Sequence, residues 1–372
     1  MQITITAKIK ILPTAEQIKL LKSTISAYKN GCNYVSAIVH DTRKLQQPKL
    51  HKITYAELRS THGLKSQMAQ SVMKTVIARY KTNISNGHKW TLVKFKHPEY
   101  DLVWNRDYSL TKDFFSVNTL NGRVKLPFET KGMEKYFDGT WSFGTAKLVN
   151  KYNNYFLHIP MTKEVPELAE SKVKQVVGVD MGINFIATTY DSQGKTLFFN
   201  GKTIKHKRSN YKRLRKQLQQ RQTPSSRQRL KATGSRENRW MTDVNHCISK
   251  ALVNHYGANA IFAVEDLSNV RQATERVRTH DRYVSVSWAF YQLRQMLEYK
   301  ANMIESKVIA LDPKYTSQTC PKCGHVEKSN RNKKSHLFCC KNCGYKSNDD
   351  RIGAMNLQRK GIEYIVAVTA KV

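Results

Sequence analysis

Two Cys-x-x-Cys pairs near the C-terminal end constrain the fold of this chain more than any other feature. The pairs are separated by 16 residues (324–339). Each pair forms a turn whose two thiolates face one ion, and Gly324 and Gly344 permit the tight backbone that follows. The spacing predicts one structural Zn²⁺, and a redox-active pair is the alternative. The four cysteines are Cys320, Cys323, Cys340 and Cys343.

The other cysteines and two nearby histidines leave alternatives for this site. Cys339 precedes Cys340, so the second pair permits two registers, of which the Cys-x-x-Cys spacing favours the one with Cys340. An odd total of seven cysteines, four of them clustered, favours metal binding in a reducing compartment over disulfides. The remaining candidates are the core thiols Cys32 and Cys247 and the spare ligands His325 and His336.

The chain is strongly basic. Its 63 Lys and Arg residues against 28 Asp and Glu give a net charge of +35. Such a charge indicates a polyanionic partner, most often nucleic acid, although another anion or a membrane surface is an alternative. With no run of about 18 apolar residues and no signal-peptide pattern, we expect a soluble, cytoplasmic protein of prokaryotic type.

The densest basic stretch covers residues 205–239, which contain thirteen Lys or Arg residues and one acid, Glu237. Its cations fall on more than one helix face, which suits contacts with phosphates rather than with bases. A solvated helix is the alternative. The candidate phosphate-binding residues are Arg208, Lys212, Arg213, Arg215, Lys216 and Arg221.

The first 165 residues predict a strand-built unit with a helical insertion. An alternating strand ends at Pro13, and a helix follows with Thr14 as N-cap and Gly31 as a break. A second helix is predicted over 66–81. Short strand-like runs separated by turn residues follow between 90 and 160. These runs are WTLVKFK, RVKLPF, TAKLVN and NYFLHIPM.

The second half has α/β character. After a linker-like segment at 163–175, VKQVVGVDMG predicts a strand buried on both faces, and INFIATTY is expected to pair with it across a tight turn. IFAVEDL and KVIALD predict two further strands. The helices between them, including one that begins before Ala289 and continues through Leu293 and Leu297, indicate a mixed sheet flanked by helices.

Three acids follow these elements. Asp180 and Glu265 end two buried strands, and Asp350 opens the last helix-like segment. Three convergent carboxylates are suited to hold two divalent cations about 3.5–4 Å apart for phosphodiester hydrolysis. Oxygen ligands favour Mg²⁺ or Mn²⁺. The alternatives are a turn-capping role at each strand end, an N-cap role for Asp350 and a surface position for Asp349.

The segments that carry these acids and cysteines resemble the RuvC-like domain of the TnpB family of transposon-encoded RNA-guided nucleases and of the compact type V CRISPR effectors. The likeness covers about 173–360 and implies an α/β RuvC/RNase H-like nuclease domain with an inserted zinc knuckle. It also implies an N-terminal β-barrel-like wedge unit with a helical recognition insertion. The implied boundaries are 1–13 and 85–165 for the wedge, 14–84 for recognition, 173–315 and 345–372 for the nuclease, and 316–344 for the knuckle. The segments are GVDMGINFIATT, AVEDLSNVR, DPKYTSQTCPKCG and FCCKNCGYKSNDDRIGAMN.

The resemblance implies the chemistry of each motif. Asp180, Glu265 and Asp350 match the family's catalytic acids, the last because the family's acid lies seven residues after the last cysteine, Cys343. Ile352 stands where the family usually has Asn. The knuckle would lead substrate to the catalytic acids.

The resemblance also implies an activity and its partners: cleavage of both strands of double-stranded DNA, directed by a guide RNA and using two Mg²⁺ (or Mn²⁺) and one Zn²⁺. The basic stretch would contact guide RNA or heteroduplex. The N-terminal half would read a short motif beside the target, for which the candidates are Gln67, Gln70 and Lys74.

Two other functions are consistent with the same residues: a nuclease-silent DNA-binding regulator or transposon accessory, and an RNA-independent transposase or junction nuclease. Ownership by a transposon or by a CRISPR system stays open, and the small size favours a transposon.

Four aromatic residues are candidates for base stacking, with core packing as the favoured role. They are Tyr80, Trp104, Tyr108 and Trp141.

Overall fold

A computed structural model gives the architecture of residues 1–97, 99–151, 154–266, 290–332 and 335–370. These residues form two compact units, an N-terminal unit of residues 2–163 and a C-terminal unit of residues 164–372 together with Met1. The boundary coincides with the start of the predicted linker. Across the described parts of the chain, no helix is both long and apolar enough to cross a membrane. The finer domain boundaries stay predictions.

The N-terminal unit contains an eight-stranded sheet. Its strands are β1 (Gln2–Ile11), β2 (Tyr100–Leu102), β3 (Tyr108–Leu110), β4 (Phe114–Thr119), β5 (Gly122–Glu129), β6 (Ser142–Phe143), β7 (Ala146–Lys151) and β8 (Asn154–Glu164). The order is β2-β7-β8-β1-β5-β4-β3, with β6 paired to β8. The predicted opening strand and three of the four later runs are therefore present as strands.

Three helices accompany this sheet. They are α1 (Ala15–Thr42), α2 (Gln47–Ser60) and α3 (Ser66–Ser85). Thr14 caps α1 as predicted, because its side chain accepts a hydrogen bond from the backbone N–H of Gln17. The predicted break at Gly31 is wrong, since α1 continues through it. A Cβ at Gly31 would lie 2.9 Å from Leu64 Cδ1, so this glycine serves close helix packing rather than termination.

The predicted strand WTLVKFK is also absent. Residues 90–95 are not a strand, because side chains of the helices take the hydrogen bonds that a neighbouring strand would supply. Asn33 donates to Phe95 O (3.2 Å) and accepts from Phe95 N (2.8 Å), and Ser36 Oγ donates to Val93 O (2.6 Å). Alternation of apolar and polar residues predicts an extended segment, but it does not show which partners satisfy its backbone.

The C-terminal unit is built on a five-stranded mixed sheet and a small three-stranded sheet. The strands of the first are β9 (Gln175–Asp180), β10 (Phe185–Tyr190), β11 (Thr196–Asn200), β12 (Ala260–Glu265) and β13 (Lys307–Leu311). Their order is β11-β10-β9-β12-β13, in which β9 pairs antiparallel with β10 and β12 runs parallel to both β9 and β13. The small sheet contains β14 (Arg331–Asn332), β15 (Leu337–Cys339) and β16 (Lys346–Asn348).

Helices pack on both faces of the five-stranded sheet, as the pattern predicted. They are α4 (Lys202–Arg221), α5 (Pro224–Tyr256), α6 (Phe290–Asn302) and α7 (Asp349–Thr369). Val177 and Val179 of β9 join the core with α5 and α6, whereas Val176 faces the opposite side, where Ile365 of α7 packs. The part of the predicted helix before Phe290, including Ala289, lies outside the described residues.

The backbone of α7 lies directly against β9 because glycine occupies the contact. A Cβ at Gly178 would lie 1.9 Å from Ala354 O and 2.5 Å from Gln358 N, both backbone atoms of α7. A Cβ at Gly361 would lie 2.8 Å from Val176 Cγ1. Any side chain at these positions would push the helix off the sheet.

We predict that Gly178→Ala lowers the free energy of unfolding by about 3 kcal/mol or more, because the backbone of α7 must move to admit one methyl group. The matched control is Gly234→Ala in α5, where a Cβ would meet nothing within 4 Å. That substitution should stabilise the protein by about 0.5–1 kcal/mol through helix propensity. Urea denaturation of both variants measures the difference, and equal effects would contradict the proposed contact.

Candidate functional site

Asp180 and Glu265 lie side by side at one end of the mixed sheet. The parallel register pairs Val179 with Val264, so the next residue of each strand is one of the two acids. Because both strands run in the same direction, their carboxyl ends meet at the same edge. Thr316 Oγ1 donates a hydrogen bond to Glu265 Oε1 (2.7 Å) and fixes the orientation of that carboxylate.

Asp350 reaches the same edge from the first turn of α7. The N-cap of this helix is Asn348, whose Oδ1 accepts from Asp350 N (3.0 Å) and Arg351 N (3.1 Å). The alternative of Asp350 as N-cap is therefore wrong. A Cβ at Gly353, one turn later, would lie 2.9 Å from Asp180 Oδ2, so the first turn of α7 faces the end of β9.

All three carboxyl groups have raised pKa values, and burial is the largest cause for each. Burial, followed by the charges of Glu265 and Asp350, raises the pKa of Asp180 well above its usual value. Burial also raises the pKa of Glu265, against the hydrogen bond from Thr316, and burial with the charge of Asp349 raises the pKa of Asp350 to about 6. Nearby like charges in a desolvated place disfavour ionisation unless a cation compensates them.

The donor set fits divalent cations held by oxygen. Asp350 is only 7% exposed, and its Oδ2 has no hydrogen-bond partner among the residues that the structure describes. Asp180, Glu265 and Asp350 do not together form one of the groups in the described chain whose ligand atoms all lie within 4.8 Å of one another, although Asp350 forms such a group with His336 and Asp349. Two ions about 3.5–4 Å apart do not require that proximity, because each acid then needs to reach only one of them.

The sequence did not identify Arg331, Asp349 and His336 as a group at this edge. Arg331 Nε donates to Asp349 Oδ2 (2.8 Å), and its Nη2 lies 3.8 Å from Asp350 Oδ1. His336 Nδ1 lies 3.5 Å from Asp349 Oδ1, while Asn184 Nδ2 lies 2.7 Å from His336 Nε2. The adjacent aspartates at 349 and 350 were the sequence signal for a charged group at this edge. No sequence signal marks Arg331, because it reaches this edge through the small sheet β14-β15-β16.

The two adjacent aspartates differ in environment, which corrects the expectation of a surface position for Asp349. Asp349 is fully buried and paired with Arg331, so its charge is compensated. The raised pKa of Asp350 indicates that its own charge is compensated incompletely. Asp349 thus pairs with Arg331 through Oδ2, while its Oδ1 and Asp350 Oδ2 have no hydrogen-bond partner in the described part of the chain.

We predict opposite effects of Asn at these two positions in magnesium-free buffer at pH 8. Asp350→Asn should stabilise the protein by about 1–3 kcal/mol, because a raised pKa in the folded state means that the ionised carboxylate opposes folding. In the wild type, the ionised Asp350 carboxylate destabilises the folded state fully above pH 6. The effect fades as the pH falls towards 3.8, the usual pKa of an aspartate. Asp349→Asn should destabilise the protein by about 2–3 kcal/mol, because it breaks the ion pair with Arg331. The loss is smaller than for a fully buried ion pair, since Arg331 is partly exposed.

Chemical denaturation with and without Mg²⁺ checks this prediction. Mg²⁺ should stabilise the wild type and should no longer stabilise Asp350→Asn. A destabilised Asp350→Asn variant that still responds fully to Mg²⁺ would exclude Asp350 as a ligand.

The four predicted cysteines form one cluster. Cys320 Sγ lies 3.6 Å from Cys343 Sγ, and Cys323 Sγ lies 3.5 Å from Cys340 Sγ. Zn–S bonds of about 2.3 Å in a tetrahedron give S–S distances of about 3.8 Å. The cluster therefore has the size that a Zn²⁺ ion requires.

Each Cys-x-x-Cys pair has the same turn. Gly324 N donates to Cys320 O (2.9 Å) and Gly344 N donates to Cys340 O (3.0 Å). Both glycines have positive φ, 74° and 69°, a conformation that other residues rarely adopt. Cys339 is not part of the cluster, so the register that uses Cys340 is the one observed.

The cluster packs onto α7 through Ile352. This residue, which stands where the resemblance leads one to expect Asn, is fully buried with Cys320, Cys340 and Phe338. Four residues later, Asn356 Nδ2 donates to Thr316 O (2.7 Å) and Thr319 O (2.8 Å). Apolar packing at 352 and a buried amide at 356 thus attach the cysteine loop to the helix that carries Asp350.

We predict that Cys340→Ser lowers the zinc content from one ion per chain to well below one, because a hydroxyl is a poor ligand for Zn²⁺ beside three thiolates. Cys339→Ser changes the neighbouring thiol and should retain one zinc. Elemental analysis of the purified variants measures this. Full zinc in Cys340→Ser would exclude that thiol as a ligand.

Part of the basic stretch is structural. Arg208 is buried, and its Nε lies 3.8 Å from Glu237 Oε1, while Arg215 also pairs with Glu237. The expectation of a fully solvated helix is wrong at these positions. Lys212 is half-buried. The exposed candidates are Arg213, Lys216 and Arg221.

The N-terminal candidates divide in a similar way. Gln67, Gln70 and Lys74 lie on α3, with Lys74 exposed and the two glutamines half-buried. Their role stays a prediction.

Of the candidate stacking residues, three are core residues, which confirms packing as their role, and Trp104 packs edge-on against Tyr108 and Phe143. The core residues are Tyr80, Tyr108 and Trp141.

Two family models match consecutive parts of the chain. Residues 158–276 match a family described as a probable transposase, and residues 290–357 match the Cas12f1-like TNB domain. The first match contains Asp180 and Glu265, and the second contains the four cysteines and Asp350. The chain is a relative of the TnpB proteins and of the compact type V CRISPR effectors.

Curated relatives agree with these matches. The "CRISPR-associated endodeoxyribonuclease Cas12f1" of Sulfoacidibacillus thermotolerans is 25% identical over 263 residues, which are 64% of this chain and 58% of that protein. The "TnpB-like protein MJ0751" of Methanocaldococcus jannaschii is 26% identical over 67% of this chain and 87% of its own. The "Putative RNA-guided DNA endonuclease InsQ" of Escherichia coli is 28% identical over 65% of this chain and 62% of its own. The matches thus span between about three-fifths and nine-tenths of the length of these relatives.

Solved structures share the fold at low identity. The structure titled "CasPhi-2 (Cas12j) bound to crRNA" has a TM-score of 0.60 at 11% identity and covers 96% of this chain and 98% of its own. The "mini-RNA-guided endonuclease CRISPR-Cas_phi3" has a TM-score of 0.56 at 10% identity and covers 96% and 92%. At such identities the likeness concerns the fold alone.

Proposed function

We propose that this protein is an RNA-guided DNA endonuclease whose nuclease site is formed by Asp180, Glu265 and Asp350. The observation that carries the proposal is the convergence of these acids at one sheet edge, where burial and then the charges of Glu265 and Asp350 raise the pKa of Asp180. Relatives named as endodeoxyribonucleases and as TnpB-like proteins support it.

The proposal assigns a RuvC/RNase H-like domain to the C-terminal unit, with the cysteine cluster as a Zn²⁺ knuckle inserted in it. The mixed order β11-β10-β9-β12-β13, with helices on both faces, supports this assignment. The eight-stranded sheet and α1–α3 of the N-terminal unit correspond to a wedge with a recognition insertion.

The three acids would hold two Mg²⁺ (or Mn²⁺), and when bound these ions supply activation of a water and stabilisation of the leaving oxygen of the phosphodiester. Asp180, whose pKa is raised by burial and by the charges of both other acids, would be one of the ligands. Thr316 fixes the carboxylate of Glu265, and Asn348 fixes the helix start at Asp350. Arg331 lies beside Asp350 and adds positive charge near the place where a phosphate would enter.

Positive charge would hold the nucleic acids. A guide RNA paired with the target strand is held through its backbone, while base pairing supplies the sequence specificity. The net charge of +35 and the exposed cations of α4 suit this role. One nuclease site would then cut the displaced strand and the target strand in turn.

We predict that Asp180→Ala lowers the rate of guided DNA cleavage by more than about a hundredfold, because metal ligation contributes several kcal/mol to such reactions. Binding of RNA should be unchanged. Asp243→Ala, which removes one exposed carboxylate from α5, is the matched control and should cleave like the wild type. Cleavage by Asp180→Ala at the wild-type rate would refute the site.

Sequencing of RNA that copurifies with the protein separates this function from its alternatives. A discrete RNA that directs Mg²⁺-dependent cleavage supports the proposal. Cleavage without any RNA supports a transposase or junction nuclease, and specific binding without cleavage supports a regulator.

A further inference from the structure

Tyr315 has a backbone conformation that large side chains rarely adopt. Its φ is 66°, in the left-handed region that favours glycine. The residue lies at the third position of a four-residue turn, 313–316, closed by a hydrogen bond from Thr316 N to Pro313 O (3.4 Å). A turn with positive φ at its third position prefers glycine or asparagine there. The sequence thus has tyrosine at a position where glycine would be less strained.

Hydrogen bonds on both sides hold Tyr315 in this conformation. Tyr315 O accepts from the backbone N–H groups of Gln318 and Thr319, both at 3.0 Å. Lys360 Nζ donates to Lys314 O (2.9 Å), which attaches the turn to α7. The turn and its neighbours therefore set the backbone conformation, whatever side chain residue 315 carries.

The ring of Tyr315 adds little to the stability of the fold. It is 49% exposed and belongs to none of the apolar clusters found in the described part of the C-terminal unit. A residue other than glycine in the left-handed region destabilises the folded state, and such residues occur most often at catalytic and binding sites. A strained residue whose ring is largely outside the core indicates that the ring contacts a ligand.

The ring lies next to the candidate nuclease site. The following residue, Thr316, is buried, and its Oγ1 donates to Glu265 Oε1 (2.7 Å). Consecutive Cα atoms are about 3.8 Å apart, so Tyr315 lies beside the edge of the sheet at which the three acids meet. Lys314 Nζ lies 5.1 Å from the centroid of the Tyr315 ring. An exposed aromatic ring with a lysine beside it suits single-stranded nucleic acid, because the ring stacks on a base and the lysine contacts a phosphate.

We propose that Tyr315 stacks on an unpaired base of the DNA strand that is being cut, within a few nucleotides of the phosphate held by the three acids. Lys314 would contact the adjoining phosphate. Bases in a duplex stack on one another, so this contact takes a single strand, and it accepts any base because every base has an aromatic face. The proposal rests on the nuclease function proposed above and adds a residue that positions the strand.

Photochemical crosslinking locates the stacked base without any cleavage. The probes are single-stranded DNAs that each carry one iodouracil at a different position, because irradiation joins this base to an aromatic ring on which it stacks. They are bound to the protein as purified, in buffer without Mg²⁺. Mass spectrometry should identify Tyr315 as a crosslinked residue. Crosslinks confined to other residues overturn the proposal.

Substitutions separate a positioning role from a structural one. Tyr315→Gly removes the ring but suits the positive φ, so the midpoint of urea denaturation should stay the same or rise. Guided DNA cleavage by this variant should slow about tenfold or more, because stacking on an aromatic side chain contributes that much to the binding of one base. Tyr315→Phe keeps the ring and should cleave like the wild type. Tyr291→Ala, the control, removes a tyrosine of α6 that is 68% exposed and should also cleave like the wild type. A lower midpoint with an unchanged cleavage rate in Tyr315→Gly would assign the ring to the fold.

An abasic site in the DNA provides the matching change in the substrate. At the crosslinked position, it removes the base that the ring would contact. It should slow cleavage by the wild type about as much as Tyr315→Gly does. It should not slow Tyr315→Gly further, because both changes remove the same contact. Additive effects of the two changes would exclude the stacking contact.

These outcomes stay separable from the nuclease function. A crosslink to Tyr315 in a protein that shows no cleavage counts against the nuclease and supports the contact with the strand. Cleavage at the wild-type rate by Tyr315→Gly counts against the stacking contact alone.

Discussion

The direct contact between the backbone of α7 and strand β9 is the constraint on which the candidate nuclease site depends. Gly178 leaves no side chain between the strand and Ala354 O, and Gly353 leaves none between the helix and Asp180 Oδ2. Helix and sheet therefore approach more closely than side chains ordinarily allow. Since Asp180 ends the strand and Asp350 lies in the first turn of the helix, this contact also fixes the separation of the two carboxylates.

That proximity has an electrostatic cost that the fold compensates at only one of two adjacent aspartates. Asp349 is fully buried but paired with Arg331, which makes its charge acceptable in the interior. Burial raises the pKa values of Asp350, Asp180 and Glu265, and the charges of Glu265 and Asp350 raise that of Asp180 further. Three poorly compensated carboxylates at one sheet edge, with Asp350 buried and the other two half-buried, would be stabilised most by a divalent cation, and this is the physical basis for proposing the metals there.

The sequence predicted those parts of the structure that follow from local pattern. The apolar run of β9, the capping of α1 by Thr14 and the four-cysteine cluster were all found as expected, because each depends on neighbouring residues or on a fixed spacing. WTLVKFK failed as a strand because its hydrogen-bond partners, Asn33 and Ser36, lie on a distant helix. Arg331 was missed because only the pairing of β14 with β15 brings it to Asp349. Long-range partners of single polar groups leave no periodic trace in a sequence.

The departure from the family pattern at Ile352 follows from the same geometry. On α7, Asp350 faces the other acids, whereas Ile352 packs against Cys320 and Cys340 and Asn356 binds the backbone of Thr316 and Thr319. Thr316 in turn holds Glu265. One helix face thus attaches the cysteine loop to two of the three acids. The cluster that includes the cysteine loop is small, with Phe338 and Ile352 as its buried apolar side chains beside two of the cysteines in the described chain. Bound zinc would therefore stabilise the positions of Asp350 and Glu265 as well as its own loop.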